Sequence, residues 1–274
     1  MKLQFHEAKH EYISPDNDID WISATTLIGA FKQPFSPDQA KKSSKNKKSK
    51  WYGLTEQEVL SLWSKEAKRA TDLGTWYHNQ QESLLCEVNT ITREGTELPV
   101  FVPTYSEGIK YAPDQKLTSG IYPEHFMYLQ SSGVCGQSDR AEVIYDVVHI
   151  RDYKTNKEIK TKGYANWEGI TQKMLPPLQH LEDCHINHYA LQLSLYMYMI
   201  LKHNPRLKPG TLAIEHIRFK EAGRDQYDYP ITFLDNQGNP VVEEVIIYEL
   251  PYLKSEIISL LAYLKDNRSK IKKK

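Results

Sequence analysis

The chain has 274 residues, 40% of them hydrophobic and 26% charged, with 35 basic residues balancing 35 acidic ones. That length and apolar content suit one large α/β domain with a real core, and exclude a disordered or low-complexity polypeptide. No apolar run reaches the roughly 18 residues that span a bilayer, and the start, MKLQFHEAKHEYISPDNDID, resembles neither a signal nor a transit peptide, so a cytoplasmic protein that does not engage a membrane is expected.

Residues 3–13 and 19–22 read as short strands around the polar turn SPDND. SATTLIGAF (23–31) starts a helix that Ser23 can cap and that Pro34 and Pro37 end. The window KKSSKNKKSK (41–50) carries six lysines and no acid, and KIKKK (270–274) carries four more, so the rest of the chain is acidic. On composition the first window is either a solvated loop or a segment that rides on phosphates. TEQE (55–58) is a capping box, Thr55 with Glu58, and Val59, Leu62, Trp63, Ala67 and Ala70 follow at helical spacing, which predicts a helix to about Leu73. Gly74 then marks a break or bend before a second helical segment, TWYHNQQESLL (75–85), with His78 and Leu85 on one face.

Residues 90–120, with Pro99, Pro103 and Pro113, read as irregular. Three strand-like runs follow, at 121–130, 134–144 and 147–155. Only Tyr145 and Asp146 separate the last two, which predicts a hairpin that brings Asp139 towards Asp152. After a long connection, 185–204 is a helix apolar nearly all round and hence central. Strands at 211–219 and 244–250 and an amphipathic helix to 271 complete the chain. Cys86, Cys135 and Cys184 are far apart, with no Cys-x-x-Cys, so neither a disulfide framework nor a cysteine-only zinc site is implied. In HLEDCHINH (180–188) the adjacent Cys184 and His185 cannot both face one zinc ion from a regular helix. No P-loop occurs, so the chain carries no ATPase engine of that type.

The stretch RDYKTNK (151–157) ends a β-branched run with Asp152 and Lys154 two residues apart, and in a strand these project from the same side. Two readings are open. The pair is either an ordinary ion pair at a sheet edge, or part of a site that needs a metal ligand beside a positive charge. With Asp139 close by, two carboxylates suit a hard cation such as Mg²⁺ or Mn²⁺ that leaves positions for a substrate phosphate. A lysine next to it can neutralise the charge that builds on phosphorus.

GQSDRAEVIYDVVHIRDYKTNK, in which Asp139 and Asp152 are thirteen residues apart, resembles the motif core of PD-(D/E)XK nucleases. It is most similar to the RecB-like exonuclease branch, which includes mitochondrial genome maintenance and phage exonucleases. GTWYH (74–78) resembles the branch's upstream G-[ST]-x-x-H element, QLSLY (192–196) its downstream Q-x-x-x-Y element, and Glu124 in YPEHF the glutamate before the first Asp. The resemblance covers roughly residues 74–200, with an N-terminal elaboration holding the lysine window and a C-terminal one of strands and helix at 211–271. It implies a restriction-endonuclease-like α/β fold in a single nuclease domain, a mixed central sheet flanked by helices, and metal-dependent hydrolysis of DNA phosphodiesters in repair, recombination or replication.

By the same resemblance Asp139 and Asp152 are metal ligands, Lys154 is the catalytic lysine, and His78 is a further ligand that biases the metal towards Mn²⁺. Glu124 is a ligand through water or a plain strand residue. Gln192 and Tyr196 orient Lys154 or a phosphate, the plain reading of Tyr196 being core filling. No iron–sulfur cluster is expected, because the branch's cluster needs four cysteines and this chain has three. The implied partners are DNA, single-stranded or at duplex ends, and a separate helicase or recombinase. In that light Lys45, Lys47, Lys48 and Lys50, followed by Trp51 and Tyr52, read as a segment that holds single strands by charge and stacking. The rival readings are a non-catalytic nucleic-acid-binding module of the same fold and a structure-specific endonuclease.

Overall fold

The computed structural model describes the chain except residues 1, 2, 7, 8, 10, 16–18, 35, 37, 167 and 272–274. Part of the expected SPDND turn, Pro37 and the last three lysines of 270–274 therefore lie outside the described residues. Where a single extended stretch was expected at 3–13, β1 (Gln4–His6) and β2 (Glu11–Ile13) form an antiparallel pair. The short β3 (Ile22–Ser23) leads into α1 (Ala24–Gly29), whose first turn is capped by Ser23 Oγ accepting from the Thr26 N–H at 3.1 Å.

The lysine window is not a plain loop. Its first half belongs to α2 (Asp38–Lys45), with Asp38 in the first turn and Lys42 and Lys45 in the last, the charge order a helix dipole favours. Next comes α3 (Glu56–Cys86), opened by the expected capping box, in which Thr55 and Glu58 satisfy each other's backbone N–H groups. This helix is continuous through Gly74, against the predicted break. One glycine costs a helix interior only about 1 kcal/mol relative to alanine. A Cβ at Gly74 would lie 3.1 Å from Thr155 Oγ1, so glycine serves the close approach of α3 to the neighbouring strand.

The stretch 90–120, read as irregular, holds two small hairpins, β4 (Thr90–Arg93) with β5 (Thr96–Pro99) and β6 (Thr104–Ser106) with β7 (Ile109–Tyr111). β7 also pairs with β1, giving a four-stranded sheet in the order β2-β1-β7-β6. The main sheet is built from β8 (Gly120–Leu129), β9 (Val134–Ile144) and β10 (Val147–Lys154), then, after α4 (His185–His203), from β11 (Lys208–Phe219). A small hairpin of β12 (Glu221–Arg224) and β13 (Pro230–Thr232) precedes the edge strand β14 (Val242–Leu250), and α5 (Lys254–Ile271) ends the described chain.

The main sheet is six-stranded and mixed, ordered β14-β11-β10-β9-β3 with β8 on the other edge of β9. β10 and β11 are parallel, as strands joined through a helix can be, and β8, β9 and β10 run antiparallel in sequence. Along α4, Ala190, Leu191, Leu193, Leu195, Met197, Met199 and Ile200 are all buried and share one core with Ile150, Leu212 and Ile214 of the sheet. Tyr153 and Ile217, on the alternate face, pack instead with Tyr77 of α3. The protein is thus a mixed α/β structure whose central strands lie between α3 and α4. No described helix is long and apolar enough to cross a membrane.

Candidate metal centre

The β9–β10 hairpin turns at Tyr145, which takes the left-handed φ of +56°, and Asp146. From there the strands pair residue by residue as far as Arg140 opposite Arg151. One step further Asp139 would face Asp152, but the ladder stops. The N–H of Tyr153 donates instead to Asp139 Oδ2 at 2.5 Å. Beyond this point β3 takes up pairing with β9 at Val134 and Cys135. On this edge β9 therefore has a short unpaired stretch between β10 and β3, with Asp139 at its start, while its other edge stays paired with β8.

Glu124 belongs to the same place. The pairs Pro123 with Arg140 and His125 with Ser138 set Glu124 of β8 opposite Asp139 of β9. Two carboxylates directly across a strand pair repel each other. Glu124 moreover holds a left-handed φ of +47° inside an otherwise extended strand, a conformation that non-glycine residues rarely adopt and that tends to mark functional positions. Its carboxylate accepts from the Gln137 amide and lies 3.7 Å from Lys110 Nζ. From α3, His78 reaches Asp139, with Nδ1 3.2 Å from Oδ1.

The ligand atoms of His78, Glu124 and Asp139 all lie within 4.8 Å of one another, the only such grouping among the described residues. One imidazole nitrogen with two carboxylates, half-buried or buried, is a donor set that fits Mn²⁺ or Mg²⁺ with positions to spare. Asp152 stands beside this trio rather than in it: its carboxylate is engaged by the ammonium of Lys154, which also lies 5.1 Å from the centre of the Tyr189 ring.

The electrostatics of the group follow from its crowding. Burial raises the Glu124 carboxyl, and the charge of Asp139 adds to this against the opposing pull of Lys110, so that it reaches about 8. Burial and Asp139 also raise Asp152, to about 6, although Lys154 pulls it down. Burial would lower His78, but the hydrogen bond and charge of Asp139, helped by Asp152 and Glu124, carry it up to about 9. Burial likewise disfavours the Lys154 ammonium, yet Asp152 and Asp139 hold its pKa above the ordinary lysine value. A metal-free site thus retains protons on groups that a cation would displace.

No family model, curated protein or solved structure matches this chain. The chemistry of the site rests on its own atoms.

α4 meets Lys154 through Tyr189, whose hydroxyl donates to Asn156 Oδ1 at 2.8 Å. Gln192 and Tyr196, expected to orient Lys154 or a phosphate, hydrogen-bond to each other, Nε2 to the hydroxyl at 3.0 Å. Tyr196 is buried against Gly136, where a Cβ would fall 2.5 Å from its ring, so core packing is a large part of its role. It stays near the site, since the Asp152 charge adds to burial in raising its hydroxyl pKa. Tyr189, Lys110 and Gln137 were not singled out from sequence. Tyr189 is one turn before Gln192 and could have been found by helical periodicity. Lys110 carried no signal, because it lies in the stretch 90–120 that reads as irregular, whereas it is buried in β7.

The proposed nucleic-acid segment divides. Lys45, Lys47, Lys48 and Tyr52 are exposed. Trp51 is buried, packed against Trp63, Tyr227 and Tyr229, and its ring offers no free stacking platform. Lys50 is spent on the same cluster, donating to the Tyr227 carbonyl at 2.5 Å and lying over the rings of Trp51 and Tyr229. The residues of 180–188 also disperse: His188 pairs with Asp183 at 2.5 Å, Cys184 donates to the Thr161 carbonyl, and His185 accepts from the Lys160 N–H.

Proposed function

We propose that this protein is a divalent-metal-dependent nuclease of the restriction-endonuclease-like class, and that it hydrolyses DNA phosphodiesters as an exonuclease of the RecB-like kind. The observation that carries the reading is the meeting of His78, Glu124 and Asp139 within 4.8 Å beside the Asp152–Lys154 pair. An ion-pair network built only for stability has no use for two carboxylates set face to face, one of them in a left-handed backbone conformation.

His78, Glu124 and Asp139 would hold the cation, and Asp152 either completes its shell or positions Lys154. When bound, the metal supplies Lewis-acid polarisation of the phosphoryl oxygen and activation of water. Lys154 remains an ammonium, because Asp152 and Asp139 raise its pKa. It therefore acts through charge and hydrogen bonding on the phosphate oxygens rather than by taking a proton. Asp152 and the Tyr189 ring hold it in place for that task. In the reaction the attacking water forms the new P–O bond, the bond to the leaving sugar oxygen breaks, and the water's proton ends on that oxygen or in solvent. The preference for an exonuclease, and the restriction-endonuclease-like assignment itself, rest on the motif resemblance together with the mixed sheet between helices.

The test is cleavage of end-labelled linear and of circular DNA, single- and double-stranded, with Mg²⁺, Mn²⁺ or chelator, by the protein and by its Lys154→Ala variant. Metal-dependent loss of linear but not circular DNA, absent in the variant, is expected. Nicked circles would make it an endonuclease, and no cleavage under any condition would leave a binding module.

A further inference from the structure

A cavity of about 480 Å³ opens beside the candidate metal centre: Glu124 belongs to both, and Lys110, with its Nζ 3.7 Å from the Glu124 carboxylate, lines the cavity. Its size falls within the range of about 300 to 1,000 Å³ usual for small-ligand sites. The walls are mostly apolar, with Phe101, Val102, Pro103 and Pro113, and they also carry Asp114 and Lys116. Phe101 is the prominent member: its ring stacks on Tyr122 with centroids 4.7 Å apart and planes within 14°, while 42% of the residue is still open to solvent. Tyr122 in turn is fixed by its hydroxyl, which donates to the Thr118 carbonyl at 2.8 Å. Gly120 makes room for the ring, since a Cβ there would fall 2.4 Å from it. The result is a braced aromatic ring, partly open to solvent, on the wall of a cavity that a carboxylate and a buried ammonium also line.

We infer that this cavity receives one unpaired nucleobase of the DNA strand whose phosphate lies at the His78–Glu124–Asp139 site, with the base stacked on Phe101. The inference rests on the nuclease reading and narrows its substrate: a paired base carries its partner on its hydrogen-bonding edge and cannot enter a cavity of this size with it, so the strand end must be single or frayed. The chemistry of the two halves matches the two halves of a nucleotide. A braced π-face and apolar walls accept the base without selecting among sequences. The cation site and Lys110 meet the charge of its phosphate. Glu124 is the hinge between them, a ligand on one side and a cavity wall on the other.

Two readouts test it. The first is cleavage of linear single strands that carry an abasic residue at the first or second position from either end. Loss of one stacked base should raise KM on the order of tenfold. The Phe101→Ala variant should no longer distinguish abasic from normal ends, and Phe101→Tyr should. Equal KM for the two ends with the unaltered protein would overturn the base site while leaving the nuclease in place. The second is calorimetric titration with dAMP and with deoxyribose 5-phosphate in the presence of Mn²⁺, which needs no cleavage and so separates the two readings. Tighter binding of dAMP by on the order of tenfold, abolished in Phe101→Ala, supports the base site even if no DNA is cut. Equal affinity for the two, or binding of neither, overturns it. A Mn²⁺-induced rise in Tm that survives in Phe101→Ala would show that the variant is folded with its metal centre intact.

Discussion

Asp139 accepts the Tyr153 N–H on one oxygen, faces His78 with the other, and lies opposite Glu124 across the β8–β9 pair. Burial raises Glu124 and Asp152 and the charge of Asp139 adds to it, while for His78 the hydrogen bond and charge of Asp139 outweigh burial. The sign of the consequence is the same for Glu124 and His78. Each binds its proton more tightly folded than unfolded, so each contributes stability that is complete at low pH. That contribution is lost as pH rises, for Glu124 from its ordinary range through about 8, and for His78 from 6.5 through about 9. In chelator, Tm is therefore expected to fall between pH 6 and 8.5, and the rise in Tm given by Mn²⁺ to grow over the same window, because the metal displaces those protons. A metal-induced shift that is flat with pH would remove His78 and Glu124 from the ligand set. Glu124→Gln should be close to neutral in chelator below about pH 8, where Glu124 itself holds a proton, and stabilising above it, where the change relieves the cross-strand repulsion, and it should lose most of the Mn²⁺ effect. Lys154→Ala should abolish cleavage and keep DNA binding, whereas Asp152→Asn should lose cleavage and part of the Mn²⁺ stabilisation. Loss of all DNA binding in Lys154→Ala, read by fluorescence anisotropy, would contradict its assigned role.

At the scale of elements, the site depends on how closely α3 lies on β10. Gly74 sits one turn before His78 and faces Thr155, whose hydroxyl also donates to the Ala70 carbonyl at 3.3 Å. Gly74→Ala asks only for a small shift of a threonine side chain and gains helix propensity, so the net change in stability should stay within about 1 kcal/mol. Gly74→Leu should lift the helix and carry His78 away from Asp139, seen as a lost Mn²⁺ shift in an otherwise folded protein; an unchanged shift would mean that the approach is not needed. The cluster around Trp51 is a second such joint, tying the segment after α2 to α3 and to Tyr227 and Tyr229 near β13. Trp51→Ala should cost about 3 to 5 kcal/mol in denaturant unfolding, the range for emptying a large aromatic site. A cost below about 1 kcal/mol would be that of a surface residue.

For the whole molecule the charges balance at 35 against 35 but not in space. The exposed Lys45, Lys47 and Lys48 stand on a segment anchored by its own aromatic neighbours. Replacing these three by glutamine, with Lys50 kept for the packing it provides, should weaken single-stranded DNA binding and flatten its salt dependence by about 0.7 per lysine in the log–log slope. An unchanged slope would make the window ordinary solvated surface.

Much of the architecture is a matter of local pattern and was readable before any coordinates. The Thr55–Glu58 box starts α3, the all-round apolar run at 185–204 makes α4 central, and counting back from a two-residue turn sets Asp139 level with Asp152. These are short-range rules of capping, periodicity and register, which a chain carries in its own spacing. What depends on contacts between distant segments was not readable. Lys50 and Trp51 read as a free binding segment because nothing local says that Tyr227 and Tyr229 cover them. Gly74 read as a break because its partner, Thr155, lies 81 residues away in the chain. Lys110 could not be placed beside Glu124, nor could the ladder's end at Arg140 be foreseen, since both follow from how two sheets and two helices meet. The sequence by itself determined the long elements around the site and the order of the acidic residues along them, though not the small hairpins of 90–111 or α2. The tertiary structure alone decided which of those carboxylates share a cation-sized space and which one is held by Lys154, because that choice is made by packing and charge across the fold rather than along the chain.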